Sequence, residues 1–162
     1  MSWTNECTES NQFKVKNTEE VKEVLELMGF DVYTDNGSIS FVTSGEGVFF
    51  NDMTEVVLSI KPVNDKNLIG IISDYTDKSV NLNNLEEEYG IKQDEVVVTY
   101  ITEYLQDQLL EDEHVTITCA GFDSRMSGSY SPFGDILVIT KNKVGFGSLY
   151  KMEQELLNSL KG

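Results

Sequence analysis

Basic residues are what this chain has least of. Across 162 residues there are 12 Lys and Arg against 28 Asp and Glu, a formal net charge of −16. Arg125 is the single arginine and His114 the single histidine. A surface so poor in cations opposes direct binding to nucleic acid, which rests on Lys and Arg neutralising phosphates. Anionic membranes are disfavoured on the same ground. One histidine rules out most multi-histidine metal sites. Two cysteines, Cys7 and Cys119, stand in no metal or redox spacing and read as free thiols of a reducing compartment. No run approaches the ~18 apolar residues that span a bilayer. The first residues, Met1 to Glu6, have neither the basic start nor the apolar stretch of a signal peptide. The expectation is a cytoplasmic protein without metal or cofactor, touching neither nucleic acid nor membrane directly.

What is present argues for a folded domain. Hydrophobic content of 40%, with eight Phe and seven Tyr, sets aside disorder despite the charge. The length suits a single domain, 1–162, whose polar residues 1–10 are expected to fray. Phe13 and Val15 alternate with Lys14 and Lys16 as a short strand. Asn17 or Thr18 caps a helix bearing Val21, Val24, Leu25 and Met28 on one side, with Glu20 in a capping-box position and Gly29 as its stop. Val32 and Tyr33 lead into the hairpin turn Asp35-Asn36-Gly37, and Ile39, Phe41 and Thr43 leave it. Ser44 to Gly47 reads as a second turn before Val48-Phe49-Phe50. Glu55 to Ile60 and Leu68 to Ile72 read as two strands, and Leu85 to Tyr89 as a short helical turn ended by Gly90.

The principal helix is expected from about Asp94 to Leu110. Val98, Ile101, Leu105 and Leu109 fall on one side of it. Val96 to Thr102 has strand propensity, but the pattern continues for about 17 residues without a turn residue, and length decides for helix. Val115, Ile117 and Cys119 then alternate as a strand. Gly121 to Gly134 reads as a Gly/Ser-rich loop, Ile136 to Ile139 and Val144 to Gly147 as a hairpin across Lys141-Asn142-Lys143, and Ser148 as the cap of a last helix with Met152, Leu156 and Leu160. The order predicts an α+β fold: an antiparallel sheet of about six or more strands with two to three helices packed on it.

Phe13-Lys14-Val15-Lys16, followed by a capped helix and a strand after Gly29-Phe30, resembles the opening of a group of small acidic proteins carried on phages, plasmids and conjugative elements. The downstream order is also similar: an acidic helix, a strand, a loop, the strand Asp135 to Asn142, and a closing helix. The resemblance covers about half the chain. It implies a mobile-element origin and, with it, counter-defence of the anti-CRISPR or antirestriction kind. It carries over no catalytic residue.

The charge is concentrated. Between Glu86 and Glu113 stand ten acids and one base, Lys92, so 1 − 10 gives −9 of the chain's −16. On a helix, Glu95, Glu103, Asp107 and Glu111 share an i, i+4 stride, with Thr99 in the gap. Neighbouring members would then stand about 6 Å apart along the axis, on the scale of phosphate spacing. Like charges at that spacing cost an isolated helix roughly 0.2–0.5 kcal/mol a pair. Glu86, Glu87 and Glu88 supply secondary contacts. So does the loop holding Arg125 and Tyr130, since Arg with aromatics suits an interaction hot spot.

The enzyme readings are thinner. His114, Asp123 and Ser124 contain the residue types of a triad, yet no nucleophile-elbow pattern surrounds the serine. Gly145-Phe146-Gly147-Ser148 lacks the third glycine of a dinucleotide loop. Asp31, Asp35, Asn36 and Gly37 lack the spacing of a calcium loop. The expected function is therefore non-catalytic: an acidic interaction protein that blocks a basic nucleic-acid-binding surface, such as that of a nuclease or CRISPR effector. The alternatives are an immunity or antitoxin protein neutralising a nuclease toxin, and, behind it, a small hydrolase. A homo-oligomer through a sheet edge stays open.

Overall fold

Turn chemistry sets the strand order. Asn36 and Gly37 both take positive φ, 48° and 83°, as the tight hairpin turn matched to strand twist requires. They join β3 (Asp31–Asp35) to β4 (Ser38–Ser44). Asn64 and Asp65 do the same at 51° and 64°, joining β5 (Glu55–Val63) to β6 (Lys66–Ile72). The computed structural model describes residues 4–44, 50, 52–72, 79–123, 131–148, 158 and 160. Among them are ten strands in two antiparallel sheets and three α-helices, the α+β class expected.

The larger sheet has seven strands in the order β10-β9-β8-β1-β4-β2, with β3 on the other edge of β4. Its centre is β1 (Thr4–Ser10), which pairs with β8 (His114–Asp123) on one side and β4 on the other. Residues 4–10 thus do not fray. Polar alternation hid them, but β8 pairs with Thr4 to Ser10 and β4 with Cys7 to Glu9, and Thr8 is buried. β2 (Phe13–Lys14) continues β1 along β4 with one residue inserted, because Glu9 pairs with Val42 but Phe13 pairs with Ile39, where an unbroken register would set it opposite Ser38. Side chains close that bulge. Ser10 Oγ accepts from Phe41 N at 2.9 Å, and Asn11 Oδ1 accepts from Thr116 N at 2.8 Å.

The smaller sheet has the order β6-β5-β7, where β7 is Val96–Tyr100. Here the expected helix over 94–110 is corrected. Gln93–Glu95 is a 3-10 turn, β7 follows, and only Ile101–Gln108 is helical, as α3. Three successive valines found the open edge of β5, pairing Val57 with Val98 and Ser59 with Val96. Tertiary pairing and β-branched stiffness decided against the helical period. α1 (Thr18–Leu27) matches its expectation: Asn17 Oδ1 accepts from Glu20 N at 3.1 Å, and Gly29 has φ 100°. α2 (Leu85–Tyr89) ends on Gly90 at φ 67°.

Both longer helices touch both sheets, α1 against β3, β4 and β6, α3 against β5, β7 and β9. The core runs between them, from Phe13, Ile39 and Phe41 of the large sheet through Leu25 and Leu105 to Val56 of the small one. Phe41 is its aromatic centre, edge-on to Phe13 and within 4.8 Å of Phe30 between centroids. β9 (Ser131–Thr140) and β10 (Val144–Ser148) complete the large sheet. The predicted Gly121 to Gly134 loop is shorter than expected, since Gly121 pairs with Phe133 and Asp123 with Ser131. Residues 124–130 lie outside the described residues, as do the expected turn and strand over 45–49. So does most of the segment expected to form the last helix, of which only Asn158 and Leu160 are described.

Candidate functional site

Losing the long helix rearranges the acidic residues. Glu95 closes the 3-10 turn, half-buried, its Oε2 accepting from Lys92 N at 3.0 Å. Glu103 and Asp107 keep their i, i+4 relation on the exposed side of α3. Glu111 lies beyond the helix in the turn where Asp112 takes φ 65°. Glu86, Glu87 and Glu88 are exposed on α2. The four-residue stripe is thus split: a strand separates Glu95 from Glu103, and the chain leaves the helix before Glu111. Arg125 and Tyr130 lie outside the described residues.

What survives is uncompensated charge. Among the described residues there is one ion pair, Lys22 Nζ to Glu26 Oε1 at 3.8 Å on α1. Glu86, Glu87, Glu88, Glu103, Asp107 and Glu111 are exposed with no ion-pair partner among the described residues. One acid is used structurally instead. Glu20 Oε2 accepts from Tyr104 Oη and from Gln108 Nε2, both at 2.8 Å, tying α1 to α3. Burial first, then that bond and the charges of Glu20 and Glu23, raise the Tyr104 phenol well above its ordinary range. Glu20 N reaches Asn17, but the Glu20 carboxylate does not close the expected capping box.

A groove of about 390 Å³ opens on the large sheet, and sequence reading missed it. Cross-strand register builds its floor: Phe146 stands opposite Leu137, and Leu137 opposite Ile117. The next row places Cys119 opposite Asp135, and Phe50 and Asp52 complete the lining. Phe146 is 72% exposed, so the apolar row that begins at buried Ile117 ends on an open side of β10. The available signal was the alternation in β8 to β10 with a Phe placed between two glycines.

Among the described residues the enzyme candidates do not converge. His114 is exposed at the start of β8, where its carbonyl accepts from Asn11 Nδ2 at 3.1 Å. Ser124 lies outside the described residues. Gly145 to Ser148 is strand β10, without the turn a phosphate loop needs. No three His, Cys, Asp or Glu among the described residues are placed to hold a metal ion. Cys7 and Cys119 are free thiols. They sit on adjacent strands, but Cys119 pairs with Thr8 and so faces the opposite side of the sheet from Cys7. Among the described residues no helix is long and apolar enough to cross a membrane. Comparison with protein-family models, curated proteins and solved structures found no match for this chain.

Proposed function

We propose that this chain is a non-catalytic interaction protein whose acidic surface occupies a basic nucleic-acid-binding face of a second protein, such as a nuclease or CRISPR effector. It would act as an anti-CRISPR or antirestriction inhibitor does. The observation that carries the reading is the set of exposed carboxylates on α2, α3 and the turn after it, none ion-paired among the described residues. Such a field attracts cationic clefts and speeds encounter with them. The acids contribute as a distributed patch rather than as a single helical stripe, since β7 interrupts the stripe.

The test is a paired pull-down from a bacterial lysate. One bait is the native chain. The other carries Gln at Glu86, Glu87, Glu88, Glu103, Asp107 and Glu111, with circular dichroism confirming its fold. The native bait alone should capture a nucleic-acid-binding protein, and adding the chain should displace nucleic acid from it. The interaction should weaken as salt rises, because the Debye length is only about 10 Å at 0.1 M. Binding unchanged at high salt, or identical capture by both baits, overturns the reading.

A further inference from the structure

We infer that the free edge of β7 is a docking strand that takes an extended, basic and apolar segment of the partner protein by β-augmentation. The inference rests on the reading above for the kind of partner, and it adds where and how that partner docks. Ile101 N donates to Thr54 O at 2.8 Å, continuing the β5–β7 register. Thr54 and Ile101 are therefore a hydrogen-bonded pair, and so are Val56 with Thr99 and Leu58 with Val97. The intervening residues Val96, Val98 and Tyr100 turn their backbone groups the other way, toward the edge. Val96 N is taken by Gln93 O, and the Tyr100 carbonyl faces the first turn of α3. That leaves the Val96 carbonyl, both groups of Val98 and the Tyr100 N–H pointing outward. No described strand pairs with them. One antiparallel strand centred opposite Val98 satisfies them all.

The other outer strands are protected in ways that β7 is not. Lys141 and Lys143 precede β10, and Gly145 and Gly147 interrupt it. Asp31 and Asp35 stand at the two ends of β3. β6 begins with Lys66 and is covered near its end, where Ile71 bridges Ser79 and its carbonyl accepts from Val80 N. β7 carries no charge, proline or bulge, the usual means of blunting an edge. Val97, Val98 and Tyr100 are 49%, 40% and 37% exposed.

Charge selects the occupant. Gln93 to Glu113 contains no Lys or Arg, so Asp94 and Glu95 lead into the strand and Glu103 follows it. Thr99 Oγ1 donates to Glu103 Oε2 at 3.0 Å, holding that carboxylate against the strand. A segment with apolar residues over Val98 and a Lys or Arg at either end meets the acids that flank the strand at both ends. A second copy does not fit: antiparallel pairing about Val98 sets Glu103 of one copy beside the Gln93–Glu95 turn of the other, like charge on like charge.

The probe is the peptide Lys-Val-Thr-Val-Thr-Val-Lys, with Glu in place of both Lys as its control. Amide exchange followed by NMR should show new protection at Val98 and Tyr100 with the Lys peptide. The Lys peptide should bind at least about tenfold more tightly than the Glu peptide. Val98→Pro removes an outward N–H without touching the ladder to β5 and should abolish binding. Val98→Lys, which repels a basic strand and needs no backbone change, guards against misfolding of the proline variant. Equal binding of both peptides, protection elsewhere, or no binding at millimolar peptide overturns the inference. So does a dimer that Val98→Lys dissociates. In the pull-down, a partner lost with the Gln bait but kept by Val98→Lys sinks only the edge. A partner indifferent to the Gln changes sinks the acidic-surface reading itself.

Discussion

Tyr104 and Glu20, 84 positions apart in sequence, meet through a 2.8 Å hydrogen bond in which the phenol donates to a carboxylate oxygen. Gln108 donates to the same oxygen, and its own Oε1 accepts from Asn17 N at 3.1 Å. One half-buried acid thereby joins the start of α1 to two turns of α3. Glu20→Ala would leave the buried Tyr104 hydroxyl without that acceptor, and Tyr104→Phe would remove one donor from the carboxylate. We expect Tyr104→Phe to cost about 1.5–3 kcal/mol, the range for hydrogen bonds to charged groups, measured by urea unfolding at neutral pH.

The same phenol predicts alkaline instability. Its folded pKa is raised, by burial first and by Glu20 second, above the value near 10 of an unfolded tyrosine. Its contribution is thus fully present below about pH 10 and is lost as pH climbs, since the unfolded chain releases a proton that the folded chain keeps. The slope attributable to Tyr104 approaches −1.4 kcal/mol per pH unit. Unfolding of native and Tyr104→Phe proteins between neutral pH and about pH 11 should show the extra slope only in the native protein.

Gly70 in β6 is a second test. A Cβ built there would overlap Val80 Cγ2, and Val80 is β-branched and stiff. Gly70→Ala should cost about 1–3 kcal/mol by overpacking. Val80→Ala in the same chain should recover part of that loss in a double-mutant cycle, whereas additive losses would mean the two positions do not communicate.

Ser59 holds a break in β5. Its buried hydroxyl accepts from Leu68 N at 2.8 Å and donates to Lys61 O at 2.9 Å, where the β5–β6 register shifts between Leu58 and Pro62. Ser59→Ala strands the Leu68 amide, at a cost of about 1–3 kcal/mol. Hydrogen exchange should quicken at Leu68 before it quickens at Val56, which lies beyond the break.

Neutralising the exposed acids should move stability and binding in opposite directions. Glu103 and Asp107 repel each other across one turn of α3, so Asp107→Gln should gain about 0.2–0.5 kcal/mol at low salt. The same change should weaken capture of a basic partner. A variant that loses both stability and binding would point to a structural role for Asp107.

The parts of the fold visible in the sequence are those whose cause is local. Asp35-Asn36-Gly37 demands a hairpin, Asn17 and Gly29 bracket α1, and Gly90 ends α2, each within a few residues of the element it controls. β7 was not visible, because Val96 to Tyr100 becomes a strand only beside β5, and the same residues carry a helical period. β1 was hidden for a like reason: its side chains are mostly polar, and its partners lie at Val42–Ser44 and Ile117–Asp123. The groove depends on the register that puts Phe146, Leu137 and Ile117 in one row, which no single stretch contains. The acids were visible as composition, whereas their arrangement was not, since it depends on where α3 begins and ends.

The central position of β1 also governs how this chain comes off the ribosome. β1 and its partner residues in β4 leave well before β8, so the neighbour on one side is complete only when Asp123 has been made. Until then the middle of the large sheet has one open flank, and β1 stays paired on one side only from the completion of β4 to that of β8. Contacts of such long sequence separation slow folding and lengthen exposure to aggregation. A late-arriving β8 makes synthesis of His114 to Asp123 the step on which completion of the large sheet depends, and pausing before it should matter more than pausing anywhere in α1 or the β3–β4 hairpin.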